Sequence, residues 1–461
     1  MVDLWIRGNG FGVKFIAAII PLTLKICTFY ELDYQFFSGA SYKGKIDFMQ
    51  TDLRRLMLDS NLLPSEKQDL LTRIAVQAEA MDMACYIVGG FVRDLLLNKP
   101  VNDFDIVVEG EATRLGNELV KKFGGKLTVH QKFHTAIWLY SEIDSLDLAT
   151  ARTEVYESRG ALPKVKPSTM QDDLRRRDFT INAMAVRLDG SHSGELLDPL
   201  NGKDDLEKGL IRVLHPASFT DDPTRILRAI RYEQRYGFEI DPHTLRLINR
   251  ESLDVLSRLS GERIRHEFDL IFEEEAPART LLRAEGLGLF SVFNPELPKL
   301  NKKYQSLFNS YPDAVFDLTN DQISLDYLLW FMDSKVEVAV DLAKRLDFTA
   351  ELTRTIISAL QLKSELPALV DSRPSVWTAR LEKIPLMATY GVWLVTGQTA
   401  LKEFLVKWRG INTKTTGSDL KALGISPGPR YKEILSHLRA AWLDGDVHNE
   451  KEEKDLLNRL L

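Results

Sequence analysis

Cysteine is nearly absent from this chain of 461 residues, which carries only Cys27 and Cys85. Two cysteines cannot build a disulfide framework or a thiolate metal cluster, so any bound metal must be held by oxygen ligands. This composition favours a reducing compartment, and we therefore predict a cytoplasmic protein.

Long apolar runs and an excess of positive charge are also lacking. The stretch from Phe15 to Ile26 is apolar for only about a dozen residues and contains Pro21 and Lys25, whereas a membrane helix needs roughly twenty apolar residues. No small-residue cleavage site follows, which disfavours a signal peptide. Because the net charge is −6, a nucleic-acid partner would have to bind local basic patches. The sequence predicts a soluble globular protein with no membrane partner.

The first 48 residues do not share the pattern of the rest of the chain. From Met49 to about residue 80 the sequence has a helical period. The apolar residues on one face of this stretch are Leu70, Leu71, Ile74, Ala75 and Ala78. We therefore predict that Met49 is the true start and that residues 1–48 are an extension without function.

Residues 82–150 alternate short apolar runs with helical stretches, which is typical of an α/β layer. The predicted strands are Ala84–Val88, Phe104–Val108, Ala136–Tyr140 and Leu146–Ala149, and the predicted helices are Arg93–Leu97 and Ala112–Phe123. Strand signals largely vanish after about Val213, and residues 220–461 have the pattern of successive amphipathic helices. The expected fold is an α/β head domain followed by an all-α C-terminal half.

A glycine pair separates the first predicted strand from the helix that follows it. Val88 ends the strand, Gly89 and Gly90 form the turn, and the backbone N–H groups at the helix start face the space above it. This arrangement indicates an anion site. The alternative is an ordinary tight turn with Arg93 and Asp94 paired on the surface.

Two aspartates lie at the start of the next predicted strand. Side chains at i and i+2 share one face of a strand, so Asp103 and Asp105 point the same way while Phe104 packs into the core. Like charges this close repel unless a cation lies between them, and oxygen ligation favours magnesium bound together with substrate phosphates. The alternative is a solvated strand end.

Two basic segments follow further along the chain. In "RRRDFTINAMA" a run of arginines leads to Asp178, where a solvated basic turn is the alternative. In "DDPTRILRAIRY" Asp222 precedes Pro223, which also fits a helix start with an N-cap and a first-turn proline. Arginines then recur at every third position on an apolar helix, at Arg225, Arg228 and Arg231. Such a series is costly unless anions or bases receive it.

These segments, in this order, resemble the class II tRNA nucleotidyltransferases (the CCA-adding enzymes) and their bacterial poly(A) polymerase relatives. The matching segments are "GGFVRD" from Gly89, "DFDIVV" from Asp103, "LRRRDFTINAMA" from Leu174, "DDPTRILRAIRY" from Asp221 and "GERIRHEF" from Gly261. The resemblance runs from about residue 84 to 300, and the helical remainder agrees in kind and length only. At position 221 an aspartate stands where the family usually has glutamate, which puts only supporting contacts in doubt.

The resemblance implies a nucleotidyltransferase head at residues 81–215 after an N-terminal helical segment at 49–80. In that reading Asp103 and Asp105 are the catalytic residues and hold two Mg²⁺ ions. The turn at Gly90, together with Arg93 and Arg177, contacts the triphosphate.

The resemblance also assigns base selection to the segment after the head. Asp222 and Arg225 present hydrogen-bonding edges to the incoming base, while Arg228 and Arg231 reach phosphate. Asp178 binds the sugar or a neighbouring arginine. A helical nucleotide-selecting and RNA-binding neck is then expected at residues 216–300, with a helical body and tail for tRNA binding at 301–461.

The implied reaction is template-independent addition of C and A from CTP and ATP to the 3′ end of tRNA, with release of pyrophosphate. A poly(A) polymerase is the first alternative, although the basic segment and basic tail that those enzymes tend to carry are not evident. An enzyme adding only A, or only part of CCA, is another. A non-catalytic RNA-binding protein is disfavoured by the intact pair Asp103 and Asp105.

Two further features stay open at this level. Residues Ala151–Leu174 contain Gly160, Pro163 and Pro167 with scattered charge, which predicts a mobile loop. In the family, a loop here helps the switch from adding C to adding A. Asp147 occupies a position where the wider superfamily can place a third carboxylate, but we expect it to make structural hydrogen bonds instead.

Overall fold

The computed structural model describes residues 53–101, 104–141, 144–308 and 322–461. These residues belong to one compact unit. The predicted extension at residues 1–48, the predicted start at Met49 and the predicted metal ligand Asp103 lie outside the described residues.

Most strands of the head form one mixed sheet. In chain order the strands are β1 Ala84–Val88, β2 Asp105–Glu109, β3 Lys126–His130, β4 Thr135–Leu139, β5 Ser145–Thr150, β6 Arg152–Val155, β7 Lys164–Pro167, β8 Ala185–Arg187, β9 Leu196–Leu197, β10 Leu210–Ile211 and β11 Glu239–Ile240. Within the described ranges the large sheet has the order β3-β4-β5-β2-β1-β8-β9. Its central pair, β2 and β5, is parallel, with Asp105 opposite Asp147.

The helices of the head and of the segment that follows are α1 Leu53–Met57, α2 Ser65–Glu79, α3 Gly90–Leu96, α4 Ala112–Phe123, α5 Met170–Arg175, α6 Gly202–Lys208, α7 Ser218–Asp221, α8 Thr224–Tyr236, α9 Pro242–Arg246, α10 Arg250–Arg258, α11 Gly261–Phe272, α12 Pro277–Gly286 and α13 Leu289–Phe293. Those of the C-terminal part are α14 Lys302–Gln305, α15 Gln322–Phe331, α16 Val336–Arg345, α17 Ala350–Leu369, α18 Pro374–Leu381, α19 Leu386–Thr396, α20 Thr399–Val406, α21 Gly417–Ala422, α22 Pro429–Asp444 and α23 Glu450–Leu460. In the described ranges, none of these helices combines the length and the apolar character that a membrane crossing requires.

The alternation of side chains in the sheet separates its two faces. Ile106, Val108, Leu146 and Leu148 are buried in the main core. Because successive side chains alternate, Asp105 and Asp147 project to the opposite face. One face of the sheet therefore packs in the main core. The other carries a smaller buried cluster that includes Val107, Met170 and Leu174, and its end at Asp105 and Asp147 borders a cavity.

Several sequence predictions are confirmed. The α/β head followed by helices is observed, and β1 and α4 have the predicted bounds. The predicted apolar face of α2 is buried, at Leu70, Leu71, Ile74, Ala75 and Ala78. The alternative of an N-cap at Asp222 is displaced by one residue: Pro223 is the N-cap and α8 begins at Thr224, although the Asp222 side chain accepts a hydrogen bond from the Thr224 N–H at 3.2 Å.

One prediction is wrong. Residues 151–174 are not a plain loop, since β6 and β7 pair as an antiparallel hairpin and α5 follows. Their Pro and Gly residues lie at or between the strands, where they do not interrupt pairing. The expectation that strands largely vanish after Val213 is confirmed: in the described residues beyond it, the two-residue β11, which pairs with β10, stands among helices.

Candidate active site

A cavity of about 950 Å³ opens between the end of the sheet that carries Asp105 and Asp147, the β6–β7 hairpin and helices α8 and α11. The site residues predicted from the sequence that line this cavity are Gly90, Arg93, Asp105, Arg177, Asp178, Asp222, Arg225, Arg228 and Arg231. Among the described lining residues, nine arginines outnumber six carboxylates. The cavity is therefore suited to a polyanionic ligand.

Asp105 and Asp147 meet on neighbouring strands at the floor of the cavity. They are register partners in the parallel β2–β5 pair, and both line the cavity. Strands in a sheet lie roughly 4.8 Å apart, so the two carboxylates flank the same space. The prediction that Phe104 packs into the core is also confirmed, since it is 8% exposed.

This floor fits a divalent cation. Asp105 and Asp147 offer hard oxygen donors, the ligand type that Mg²⁺ prefers. In the parts of the chain described, no group of three or more His, Cys, Asp or Glu residues could hold a metal by itself. From the sequence we expected Asp147 to make structural hydrogen bonds. In the structure it lies where it could be an additional ligand of a cation bound by Asp105. The alternation of Leu146, Asp147 and Leu148 was the sequence signal that could have found it.

The glycine turn lies directly against Arg177. Gly89 has a φ of +66°, and a Cβ built on it would lie 2.8 Å from Nη1 of Arg177. That backbone, with a ψ of −121°, favours glycine, and the lack of a Cβ lets the guanidinium lie this close without moving. The Arg177 Nε is buried and has no hydrogen-bond partner within the described residues, although Nη2 donates to Asp173 at 3.1 Å. This geometry is compatible with the predicted triphosphate contact.

Arg93 is held by the protein itself. Its guanidinium donates to both carboxylate oxygens of Asp94 at 2.9 Å and to Oδ1 of Asn182 at 2.6 Å. It also lies over the Tyr236 ring, 4.8 Å from the ring centroid. The pairing with Asp94 that we placed on the surface does form, but it is buried, since Arg93 is 3% exposed. A triphosphate contact by Arg93 stays a prediction.

Asp178 joins the head to helix α8. Its Oδ2 accepts from Nε and Nη2 of Arg228 at 2.9 and 2.6 Å, and its Oδ1 accepts from Nδ2 of Asn182 at 3.0 Å. Burial alone would raise the pKa of Asp178, but Arg228 and the hydrogen bonds outweigh it and lower the pKa to about 2. Asp178 therefore binds a neighbouring arginine in this structure; a sugar contact stays a prediction.

Arg231 and Arg235 of α8 meet carboxylates that lie within α11 and just after it. Arg231 lies 3.3 Å from Glu274 and 3.8 Å from Glu267, and Arg235 lies 2.6 Å from Glu274. Burial raises the pKa of Glu267 despite these arginines. Some of the α8 arginines are thus already paired with carboxylates of the protein, which local sequence patterns could not show. A phosphate contact by Arg228 or Arg231 stays a prediction.

Asp222 lines the cavity and is bonded to the protein through one carboxylate oxygen. Its Oδ1 accepts from Thr224 N–H at 3.2 Å, Thr224 Oγ1 at 2.6 Å and Arg263 Nη2 at 2.9 Å. Within the described part of the chain, Oδ2 receives no hydrogen bond. Arg225 lies beside it, donating to Ser218 Oγ at 2.7 Å and to the Arg176 carbonyl at 3.0 Å. Both residues line the cavity, as base selection requires.

The β6–β7 hairpin adds a wall that sequence reasoning missed. Arg176 donates to Glu154 at 2.8 Å, and the Tyr156 hydroxyl donates to the other Glu154 oxygen at 3.1 Å. Burial raises the pKa of Tyr156. Arg152, Glu154 and Tyr156 alternate along the chain, which is the strand period and was the available signal.

Comparison with known proteins agrees with this geometry. Residues 85–212 match the family described as "Poly A polymerase head domain", and residues 237–300 match "Probable RNA and SrmB- binding site of polymerase A". The chain belongs to the family of tRNA nucleotidyltransferases and poly(A) polymerases, a class of nucleotidyl-transferring enzymes.

Individual relatives support that placement. An A-adding tRNA nucleotidyltransferase of Halalkalibacterium halodurans is 31% identical, with 86% of this chain and 93% of that protein covered. Another from Geobacter sulfurreducens is 34% identical over 86% of this chain, which spans only 47% of that longer protein. The solved structure of a Thermotoga maritima CCA-adding enzyme complexed with tRNA is 29% identical, covers 89% of this chain and 99% of its own, and gives a TM-score of 0.72.

Proposed function

We propose that this chain adds nucleotides from CTP and ATP, without a template, to the 3′ end of tRNA and releases pyrophosphate. The observation that carries the proposal is the single cavity that joins an acidic floor, an arginine-rich wall and the pair Asp222 and Arg225. Membership of the family supplies the reaction class, and the relatives supply tRNA as the substrate. CTP, ATP and the tRNA 3′ end are the proposed ligands, and the cytoplasm the proposed location.

The acidic floor would hold the catalytic metal. Asp105 with Asp147, and Asp103 from outside the described residues, would bind two Mg²⁺ ions. Such ions, when bound, supply activation of the RNA 3′-hydroxyl and neutralisation of the departing pyrophosphate. Asp105 and Asp147 would hold these ions in the same cavity that Arg177 lines, so the hydroxyl and the α-phosphate would lie in one small volume suited to in-line attack.

The walls position the rest of the nucleotide. Arg177 beside the glycine turn would bind the triphosphate through charge-assisted hydrogen bonds. Asp222 Oδ2 would accept from the exocyclic amino group of cytosine or adenine, while Arg225 donates to the neighbouring ring nitrogen. Uracil and guanine present the opposite order at that edge, so the same pair would accept C and A and reject U and G.

The extent of addition separates two candidates. Full CCA addition is our interpretation from the sequence, and A-only addition is favoured by the names of the two curated relatives described above. Both include addition of the final A to a tRNA that ends in CC. They differ only in the two preceding C residues.

One assay resolves the two candidates. Transcripts of a single tRNA that lack CCA, end in C, or end in CC are each incubated with labelled CTP, ATP, UTP or GTP. Full CCA addition predicts C incorporation on the first two transcripts and A incorporation on the third. A-only addition predicts labelling of the CC transcript by ATP alone. Long runs of A on all three transcripts would instead indicate a poly(A) polymerase, and labelling of none would contradict the proposal.

A further inference from the structure

We infer that Arg263 couples the turn of the β6–β7 hairpin to the carboxylate of Asp222 and is a positioning residue for base choice. The inference rests on the proposed function, in which Asp222 selects the base. It concerns a residue of α11 whose guanidinium bonds two separate parts of the chain.

The first step is the geometry of the guanidinium. Arg263 Nη2 donates to Asp222 Oδ1 at 2.9 Å, and Nη1 donates to the Gly160 carbonyl at 2.6 Å. A guanidinium is a planar fork, so two contacts made by its two ends fix the relative position of both partners. A lysine, with one point of charge, could not hold both in the same way.

The second step concerns Gly160, whose backbone position depends on its being glycine. Its N–H donates to the Asp221 carbonyl at 3.1 Å, so both of its backbone polar groups are bonded beside the Asp222 segment. Its φ is +72°, and a Cβ built there would lie 3.0 Å from Val255 and 3.1 Å from Leu259. A side chain at this position would be strained by the positive φ and would require Val255 and Leu259 to move by a few tenths of an ångström, so glycine is favoured.

The third step concerns the consequence for Asp222. Arg263 contributes to holding Oδ1, while Oδ2 receives no hydrogen bond from the described residues and would be the oxygen available to a base. Without Arg263 the Thr224 contacts remain, but the carboxylate loses its only charged partner among the described residues. Its orientation should then become less defined, while Arg177 and the glycine turn keep their contacts.

The hairpin turn also shapes the cavity. Leu162 and Pro163, which follow Gly160 closely, line the cavity wall. Displacement of Gly160 would therefore change the space beside the base as well as the orientation of Asp222. The hairpin and the selecting carboxylate should consequently behave as one coupled unit.

The test compares Arg263→Gln, Gly160→Ala and the double variant with wild type. The matched control is Arg380→Gln: Arg380 is 24% exposed against 26% for Arg263, it pairs through two hydrogen bonds with Glu365, and neither residue lines the cavity. Equilibrium binding of CTP, ATP, UTP and GTP is measured without tRNA, together with hydrogen exchange of residues 156–163.

Each single variant should lower the preference for CTP and ATP over UTP and GTP by about tenfold and speed exchange of the turn. The double variant should lose little more than either single one, because both break the same coupling. Arg263→Lys should recover only part of the preference. Arg380→Gln should leave both measurements unchanged.

Four results would overturn the inference. One is an equal loss of affinity for all four nucleotides, which indicates general damage; another is additive loss in the double variant. The third is faster exchange of the turn with base preference intact. The fourth is a wild type that shows no base preference. If the wild type prefers CTP and ATP but extends no tRNA, the proposed function fails while the coupling stands.

Discussion

Asp178 and Arg228, which are 50 residues apart in the chain, form a two-donor ion pair at the junction of the head and helix α8. Arg228 approaches the Oδ2 of Asp178 to 2.6 Å. Asn182 holds the other oxygen and also accepts from Arg93. The glycine-turn helix and the arginine helix are thereby connected through one carboxylate.

This pair predicts a pH-dependent contribution to stability. The pKa of Asp178 is about 2 in the folded chain and about 3.9 in an unfolded one. Its contribution is therefore present above about pH 4 and is lost as pH falls through about 2. Between pH 6 and pH 3 the stability advantage of wild type over Asp178→Asn should fall by about 1 kcal/mol, measured by denaturant unfolding. A difference that does not vary with pH would show that Arg228 does not hold the charged form.

The acidic floor gives a second prediction. Asp105→Asn and Asp103→Asn should each reduce nucleotide addition by roughly a hundredfold or more, because each removes a metal-binding charge without removing a core side chain. Melting temperature and tRNA affinity should stay near wild type. Asp254→Asn, at an exposed ion pair with Arg258, is the matched control and should retain activity. Activity within roughly tenfold of wild type in either site variant would contradict the metal assignment.

The proposed role of Arg225 in base choice gives a third prediction. Arg225→Ala removes a donor next to Asp222 and should lower discrimination against UTP and GTP by roughly ten- to a hundredfold, the value of one charge-assisted hydrogen bond. This discrimination is measured by letting the four nucleotides compete for addition to one tRNA. Because Arg225 also bonds Ser218 and the Arg176 carbonyl, a structural role predicts a different result. Uniformly slower addition with unchanged preference would assign Arg225 to that structural role.

The N-terminal extension, residues 1–48, gives a fourth prediction. Deletion of residues 1–48 should leave activity and melting temperature unchanged, because their sequence does not share the pattern of the head. Deletion of residues 1–80 is the contrasting variant, since it also removes α2 and its buried residues Leu71 and Ile74. That longer deletion should abolish folding. An inactive or insoluble protein after the shorter deletion would show that the extension is part of the working enzyme.

Local periodicity predicted the elements that depend on neighbouring residues. The strand Ala84–Val88 and the helix Ala112–Phe123 follow from apolar alternation and helical spacing, and both have the expected bounds. The hairpin was missed because its Gly and Pro residues resemble loop signals. Arg152, Glu154 and Tyr156 nevertheless alternate as a strand requires.

Contacts between distant segments could not be predicted in the same way. Asp147 lies beside Asp105 only because β2 and β5 pair in parallel, and no local pattern fixes that register. The partners of the α8 arginines likewise come from Asp178 and from Glu274 near the end of α11. The sequence could indicate that these arginines need anionic partners. It could not show that carboxylates of the protein itself are some of those partners.

The most direct test of the proposed function is single-turnover extension of a tRNA that ends in CC, with ATP as the only nucleotide. Wild type should add one A, release one pyrophosphate and then stop, while Asp105→Asn should add none. Both CCA completion and A-only addition require this result. A tRNA that remains unextended, or that acquires a long run of A, would contradict the assignment of this cavity to tRNA 3′-end maturation.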